Sequence, residues 1–302
     1  MYLADQWNDF AVLDAGNGNK LERWKDVTLL RPDPQAVWTM DEVQADAVYL
    51  RSSTGGGHWE MQKSLLENWT ITYPFLSRAQ NRFEDGAAPL CRKLTFVVRP
   101  TGFKHTGLFP EQAVNWDWMG QQLLQWRQAH PDRQPKVLNL FAYTGGATVA
   151  CSAAGAEVVH VDAAKGMVAW AKDNARASGL ADAPIRYMVD DCCKFVKREL
   201  RRGNRYDGIV MDPPSYGRGP TGELWKIEND LFPLVQDCAQ LLSDTPAFFL
   251  INSYTTGLAA SVLKNVLSVA LPGCSAESDE VGLPIRRGGL VLPCGASGRA
   301  TF

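Results

Sequence analysis

The chain has 302 residues, of which 45% are hydrophobic and 21% are charged, enough apolar sequence for one large or two modest folded domains. The formal net charge is −2 and the isoelectric point is about 6.1, which excludes an overall positive field. A nucleic-acid partner would therefore need a local basic patch.

The first hundred residues have the pattern of a β domain. Up to about Thr101, short segments rich in β-branched and aromatic residues are separated by turn signals; they read FAVL, VTLL, AVYL, WTITY and LTFVV. Gly16-Asn17-Gly18 is typical of a hairpin turn, because Asn and Gly tolerate a positive φ. We therefore predict a mainly β accessory domain over residues 1–107.

After Phe109 the pattern changes to alternating helices and strands. We expect a helix from about Glu111 to Ala129, and then helical stretches between the apolar runs VLNLF, VVHVD, IRYMV, DGIVMD and AFFLIN. Such alternation implies right-handed crossovers. The predicted fold class is α/β, with a Rossmann-like domain over residues 108–302 that has a mostly parallel sheet and helices on both faces. The stretch GGLVLPCGASGRATF should add the closing strands.

The residues after each strand are the site candidates, because ligands of open α/β sheets bind at the carboxyl ends of the strands. The first run is followed by a glycine turn that would let a ligand approach the backbone. This turn comprises Phe141, Ala142, Tyr143, Thr144, Gly145 and Gly146. Glycines also end strands for packing reasons alone, and this alternative stays open.

Acidic residues follow the second and third runs. Asp162 lies 17 positions after Gly145, a spacing that suits a carboxylate accepting two hydrogen bonds from a ribose. Its alternative role is to cap a helix that starts near Ala164. Asp190-Asp191-Cys192 follows the third run, where an acidic side chain and a backbone N–H could bind the edge of an adenine. One aspartate could instead cap the next helix, and we favour Asp191 for the ligand.

The fourth run ends in Asp212-Pro213-Pro214-Ser215-Tyr216, the most discriminating string in the chain. Two prolines fix φ and remove two backbone donors, so the turn is rigid and holds Asp212 at the strand tip. Tyr216 could stack on a planar substrate. We assign the catalytic positions to Asp212, Pro213, Pro214 and Tyr216.

The sequence resembles class I methyltransferases, in particular the bacterial large-subunit ribosomal RNA methyltransferase I family. The resemblance covers about Gly102 to Tyr254 and rests on VLNLFAYTGGATVA, VVHVDAAKGMVAWAKDNA, VDDCCKFV and VMDPPSY, with FKHTGLFPEQAVNW upstream. It implies S-adenosylmethionine as cofactor and RNA as partner, with the methionine moiety at 141–146 and the ribose at Asp162 and Ala163. It further implies that Asp191 with Cys192 borders the adenine, that Asp212 and the prolines face the methyl group, and that Phe109 and Gln112 close the pocket.

The chain departs from this family where a cytosine C5 methyltransferase needs a cysteine nucleophile. After the fifth strand the sequence reads Ile251-Asn252-Ser253-Tyr254-Thr255-Thr256-Gly257, without a cysteine. A thiolate is required because C5 of cytosine is not nucleophilic until a nucleophile adds to the ring. Cys192, Cys193 and Cys294 fit small apolar packing better. We therefore expect a methyl acceptor with its own lone pair, such as a base nitrogen.

Two basic clusters are candidates for RNA contacts. Lys194, Lys197, Arg198 and Arg201 recur at helical spacing, which makes either a phosphate-binding stripe or a solvated helix face. In the N-terminal part, basic residues alternate with aromatic ones that could stack on bases or simply form the core. This second cluster comprises Arg78, Arg82, Arg92, Lys93, Arg99, Phe75, Phe83 and Phe96.

The seven cysteines are scattered and form no C-x-x-C pair, so we expect neither a disulfide framework nor a metal site, and a reducing, cytoplasmic location. No apolar run approaches the ~20 residues of a membrane span. Methylation of a base in RNA, most plausibly ribosomal, is the preferred function. The alternatives are a small-molecule or protein methyltransferase, a nicotinamide-dependent oxidoreductase, and a non-catalytic RNA-binding module with a vestigial pocket.

Overall fold

The computed structural model describes residues 1–52, 56–79, 88–218 and 224–302. Its N-terminal part is built of strands: β1 (Tyr2–Leu3), β2 (Phe10–Gly16), β3 (Asn19–Trp24), β4 (Val27–Pro32), β5 (Ala47–Arg51), β6 (Gly57–Met61), β7 (Trp69–Pro74) and β8 (Lys93–Val98). Strands β2 to β6 form one sheet in chain order, and β7 pairs with β8. Asn17 and Gly18 have φ values of 53° and 72°, which confirms the predicted hairpin turn.

The rest of the chain alternates helices and strands. A 3-10 turn (Pro110–Gln112) leads into α1 (Ala113–Ala129), so the predicted helix at Glu111 to Ala129 is confirmed. The elements that follow are β9 (Lys136–Leu140), α2 (Gly146–Ala153), β10 (Glu157–Asp162), α3 (Lys165–Ala177), β11 (Ile185–Val189), α4 (Cys192–Arg202), β12 (Gly208–Met211), β13 (Tyr216–Arg218), β14 (Leu224–Lys226), α5 (Ile227–Ala239), β15 (Phe248–Ser253), α6 (Ala260–Ala270), β16 (Ser275–Pro284) and β17 (Val291–Thr301).

The main sheet has the order β1-β16-β17-β15-β12-β9-β10-β11. Its five central strands β15, β12, β9, β10 and β11 are parallel, whereas β17 is antiparallel to both of its neighbours. The chain moves from β9 outwards to β11 and then returns to the other side of β9, so the strand order reverses between β9 and β12. Such a reversal opens a ligand-binding crevice at the carboxyl ends of these strands.

Alternate residues of the central strands face opposite helical layers. In β9, Val137 belongs to the apolar cluster that includes α1 and α2, whereas Leu138 packs with α4, α5 and α6 on the other face. Helices therefore cover both faces of the sheet, and the predicted Rossmann-like fold is confirmed. None of the helices in the described parts of the chain is both long enough and apolar enough to cross a bilayer.

The N-terminal strands pack tightly on the α/β part. The Trp116 ring of α1 contacts the rings of Trp7, Tyr73 and Phe96 at centroid distances of 5.9, 5.7 and 4.9 Å. Strand β1 even joins the main sheet, where Tyr2 pairs with Val281 of β16. The two parts thus share one apolar cluster, and the division at residue 107 stays a prediction about folding units.

Candidate functional site

A cavity of about 420 Å³, here called the strand-end cavity, opens at the carboxyl ends of β9, β10 and β12. Its lining includes predicted site residues from each strand end: Phe109, Phe141, Tyr143, Asp162, Ala163, Asp191, Cys192, Asp212, Pro213 and Pro214. Its volume lies within the range of small-molecule sites. The structure therefore brings together residues that are up to 105 positions apart in the sequence.

The loop after β9 is held in an unusual backbone conformation. Phe141 and Tyr143 have φ values of 53° and 50°, a left-handed conformation that costs a non-glycine residue about 1–3 kcal/mol. Gly145, with φ of 81°, is the N-cap of α2, and a Cβ there would lie 2.9 Å from the Cβ of Ala171. Both packing and conformation thus require this glycine, and the strained loop presents its backbone to the cavity.

Asp162 holds two neighbouring loops in position. Its Oδ2 accepts a hydrogen bond from the Tyr143 backbone N–H and its Oδ1 accepts one from the Ala164 N–H, both at 2.8 Å. Burial raises the pKa of this carboxyl. Each carboxylate oxygen has a further lone pair, so Asp162 can still accept hydrogen bonds from a ligand.

Asp191 caps a helix and also lines the strand-end cavity, and its role as a ligand contact stays a prediction. It is the N-cap of α4, where Oδ1 accepts a hydrogen bond from the Lys194 N–H at 2.8 Å, and it also lines the cavity. Asp190 instead pairs with Arg198. The Sγ of buried Cys192 accepts a hydrogen bond from the Phe141 N–H at 3.2 Å, so this thiol supports the strained loop.

Asp212 is the least satisfied polar group of the site. Its Oδ1 is buried and has no hydrogen-bond partner among the described residues. Burial and the nearby charge of Glu111 raise its pKa to about 7. A buried acceptor without a donor is costly, which indicates that a ligand group completes its hydrogen bonding.

The aromatic wall differs from the prediction. Tyr216 is 54% exposed in β13 and is absent from the cavity linings among the described residues, since its strand turns outwards. Trp225, from the paired strand β14, occupies the wall instead: its Nε1 donates to the Pro214 carbonyl at 2.6 Å, and its ring lies 5.3 Å from that of Phe141. Sequence reasoning missed Trp225 because only the hairpin brings it to the site.

A smaller cavity of about 50 Å³ adjoins the first and is lined by four more of the predicted residues, Gln112, Ala142, Thr144 and Gly146, whereas Gly145 lines neither cavity. Gln112 donates a hydrogen bond to the Tyr254 hydroxyl at 2.7 Å and accepts one from Asn115 at 2.9 Å. Asn115 is in turn held by Arg299, at 2.6 Å. Gln112 thus anchors Tyr254, a lining residue that the sequence pattern did not single out.

His105, from the segment before α1, also lines the strand-end cavity. Burial, and then the charge of Arg31, lower its pKa to about 4, so the imidazole is neutral at physiological pH. It stacks loosely on Phe109, with the ring centroids 5.4 Å apart. No local signal could have revealed this position, because it depends on the packing of the segment before α1.

Some side chains of the two basic clusters are paired or buried, so fewer of them are available to contact RNA than the sequence suggested. On α4, Arg198 pairs with Asp190, whereas Lys197 and Arg201 are exposed. In the N-terminal cluster Phe75 and Phe96 are 1% and 0% exposed, so they form the core and cannot stack on bases. Arg82 and Phe83 lie outside the described residues.

Comparison with known proteins identifies the fold that carries this site. The model of the S-adenosylmethionine-dependent methyltransferase family matches residues 93–250, just over half of the chain. The chain belongs to this family. The methyltransferase is also 33% identical to a SAM-dependent methyltransferase from Agrobacterium tumefaciens, whose crystal structure matches with a TM-score of 0.85 over 99% of this chain and 93% of that one.

Curated relatives of the methyltransferase include the ribosomal RNA large subunit methyltransferases K/L of Shewanella baltica and Pseudoalteromonas atlantica. They are 31% and 32% identical over 152 and 162 residues, which is 50% and 53% of this chain. The matched region spans 20% of each of these longer relatives. The family match confirms the predicted methyltransferase identity and the predicted cofactor, S-adenosylmethionine.

Proposed function

We propose that the methyltransferase transfers a methyl group from S-adenosylmethionine to a base nitrogen of RNA, and that this RNA is large-subunit ribosomal RNA. The observation that carries the proposal is the buried Oδ1 of Asp212 in the D-P-P turn, which has no hydrogen-bond partner among the residues that the structure describes. It provides an acceptor where a reacting N–H needs one. The names of the curated relatives support ribosomal RNA as the substrate.

The strand-end cavity fits the cofactor. It contains three carboxylates, from Asp162, Asp191 and Asp212, and none of the described Lys or Arg side chains lines it. Such an arrangement favours a ligand that carries a positive charge, as a sulfonium does. The predicted roles remain our proposal: 141–146 around the methionine moiety, Asp162 and Ala163 at the ribose, and Asp191 with Cys192 at the adenine.

The chemistry that we assign to the chain is positioning and proton acceptance. When bound, the cofactor supplies an activated methyl group on sulfur. The nitrogen that takes the methyl group loses a proton, and in our proposal the Asp212 carboxylate accepts it. A base with a pKa near the working pH is efficient at this step. Pro213 and Pro214 keep Asp212 at the strand tip, and Phe109 and Gln112 close the pocket.

The positions and the burial of the cysteines favour a base nitrogen, and not C5 of cytosine, as the methyl acceptor. Ser253 and Tyr254 occupy the strand end where the nucleophile would be expected. Burial raises the pKa of the Cys192 and Cys294 thiols well above the usual range, so neither is a ready thiolate.

The test is transfer of tritium from labelled cofactor to unmodified large-subunit ribosomal RNA transcribed in vitro, followed by nucleoside analysis. We expect label in one methylated base at a nitrogen, and loss of labelling with Asp212→Ala. If label appears only in small molecules or in protein, the methyl acceptor is not RNA. If the protein binds the cofactor but transfers no label to any RNA, a non-catalytic RNA-binding module is favoured. A cytoplasmic location stays part of the proposal, supported by seven cysteines that are all free thiols.

A further inference from the structure

A second cavity, of about 440 Å³, lies between the N-terminal sheet and the segment that leads into α1; we call it the junction cavity. One wall is formed by Lys20 of β3 and Arg31 of β4, and the other by Glu111 and by Cys294 of β17. Among the predicted site residues, only Phe109 lines it. The cofactor roles proposed above leave this space unexplained.

The junction cavity adjoins the strand-end cavity through a shared aromatic wall. His105, Phe109 and Tyr254 line both, and the Phe109 ring lies 5.4 Å from each of the other two. Glu111 lines the junction cavity, and its charge adds to the effect of burial in raising the pKa of both Asp212 and Tyr254. A planar ring in the junction cavity would therefore lie against aromatic side chains and beside the reacting end of the cofactor cavity.

The outer wall of the junction cavity carries an uncompensated cation. Arg31 Nε lies 2.6 Å from Glu22 Oε2, and Lys20 Nζ lies 3.2 Å from Asp33 Oδ2, so these two cations are paired. Lys104 has no ion pair within the described residues, and its Nζ contacts the Pro32 carbonyl at 3.4 Å. Such an unpaired ammonium is suited to bind an anion such as a phosphate.

The inner wall and the rim match the rest of a nucleotide. Glu111 is 6% exposed and lines the cavity, and its carboxyl oxygens can accept hydrogen bonds from the edge of a base. Phe103 precedes Lys104 and is 68% exposed, which provides a stacking surface for a neighbouring base. Enzymes that modify bases commonly receive the target nucleotide in a pocket after it leaves the stack.

We propose that the junction cavity receives the methyl-acceptor nucleotide of single-stranded RNA. Its base lies against Phe109 and Tyr254 with its edge at Glu111, and its phosphate pairs with Lys104. This assignment rests on the proposed function, namely that the acceptor is RNA.

The test compares Lys104→Met and Glu111→Gln with the matched control Lys264→Met, an exposed lysine of α6 that lines neither cavity. Calorimetry gives the affinity for S-adenosylmethionine, and steady-state tritium transfer to the unmodified ribosomal RNA transcript gives KM and kcat.

We expect Lys104→Met to raise the KM for RNA about tenfold, the value for one lost charge-assisted bond. It should also reduce the slope of the logarithm of the RNA-binding constant against the logarithm of the salt concentration by about one. Glu111→Gln should lower kcat/KM, and both variants should bind the cofactor as the wild type does.

If the wild type methylates the transcript while Lys104→Met and Glu111→Gln behave like Lys264→Met, the junction cavity is not the acceptor site and the proposed function stands. If the wild type binds the cofactor but labels no RNA, the proposed function fails, and the assignment of an RNA nucleotide to this cavity fails with it.

Discussion

The two cavities of the methyltransferase share an aromatic wall but differ in how they are built. The strand-end cavity is lined mainly by residues that directly follow strands, and most of it lies between positions 141 and 225. The junction cavity draws its lining from Lys20 to Cys294, almost the whole chain. A site made of strand ends is visible in the sequence because the sheet places those ends together, whereas a site between two layers depends on long-range packing.

The cavities also differ in charge. Within the described parts of the chain, three carboxylates and the neutral His105 line the first cavity, and no Lys or Arg side chain does. Lys20, Arg31 and Lys104 line the second cavity, together with Asp33 and Glu111. This contrast suits a cationic methyl donor in one cavity and a phosphate-bearing acceptor in the other, with the two meeting where Phe109 and Tyr254 line both. Substitutions in and around the two cavities test this division.

The largest effect is expected at Asp212. Asp212→Ala should reduce kcat by about 10²- to 10⁴-fold, the usual contribution of a positioned general base, while cofactor affinity changes little. Because burial, and then Glu111, raise the pKa of Asp212 to about 7, wild-type kcat should rise with pH through about 7 as the carboxylate forms. Asp212→Asn keeps an acceptor oxygen but cannot take the proton, so any remaining activity should lose this pH dependence. An unchanged acid limb in Asp212→Asn would assign the ionisation to another group.

Gly145→Ala tests the strained loop of the strand-end cavity. The added Cβ would lie 2.9 Å from Ala171 Cβ, and the backbone has a φ of 81°. We expect a loss of about 1–3 kcal/mol in the free energy of unfolding, measured by urea denaturation, and weaker cofactor binding. Gly166→Ala is the control, since a Cβ there meets no atom within 4 Å and its φ is not positive.

Glu111→Gln tests whether Glu111 acts on Asp212 through its charge or only through packing. Removing this charge should lower the pKa of Asp212, so the acid limb of the pH–kcat profile should move to lower pH, by less than about one unit for a single screened charge. A purely structural role for Glu111 would change kcat at all pH values and leave the position of the limb where it is.

The smallest effect is expected at Tyr216, which is exposed and does not line the strand-end cavity. Tyr216→Ala should change cofactor affinity by less than about twofold, whereas Trp225→Ala, which removes a ring from the wall, should weaken it about tenfold. Calorimetric titration of both variants measures this difference. Equal losses of affinity in the two variants would support the site role that the sequence predicted for Tyr216.

Local patterns were sufficient to predict much of the fold. Alternating apolar runs located the five parallel strands, and Gly16-Asn17-Gly18 located a hairpin, because both signals act over a few residues. The pairing of β1 with β16 could not be predicted, since Tyr2 and Val281 meet only after the whole chain has folded. The N-terminal aromatics were also ambiguous, because exposed and buried rings have the same sequence signature.

The candidate site was predictable to the same degree. Asp162, Asp191 and Asp212 follow strands, so their convergence was expected from topology alone. His105, Trp225 and Tyr254 were missed because a turn, a hairpin and a hydrogen bond from Gln112 bring them to the cavity.

The most direct test of the account is thermal melting of wild type and Asp162→Ala with and without S-adenosylmethionine. A ligand that binds only the native state raises Tm by mass action. We predict a clear rise in the Tm of the wild type and little or none in Asp162→Ala, because this carboxylate is proposed to hold the ribose and also fixes the Tyr143 loop. An equal rise in both proteins would place the cofactor outside the strand-end cavity and contradict the account.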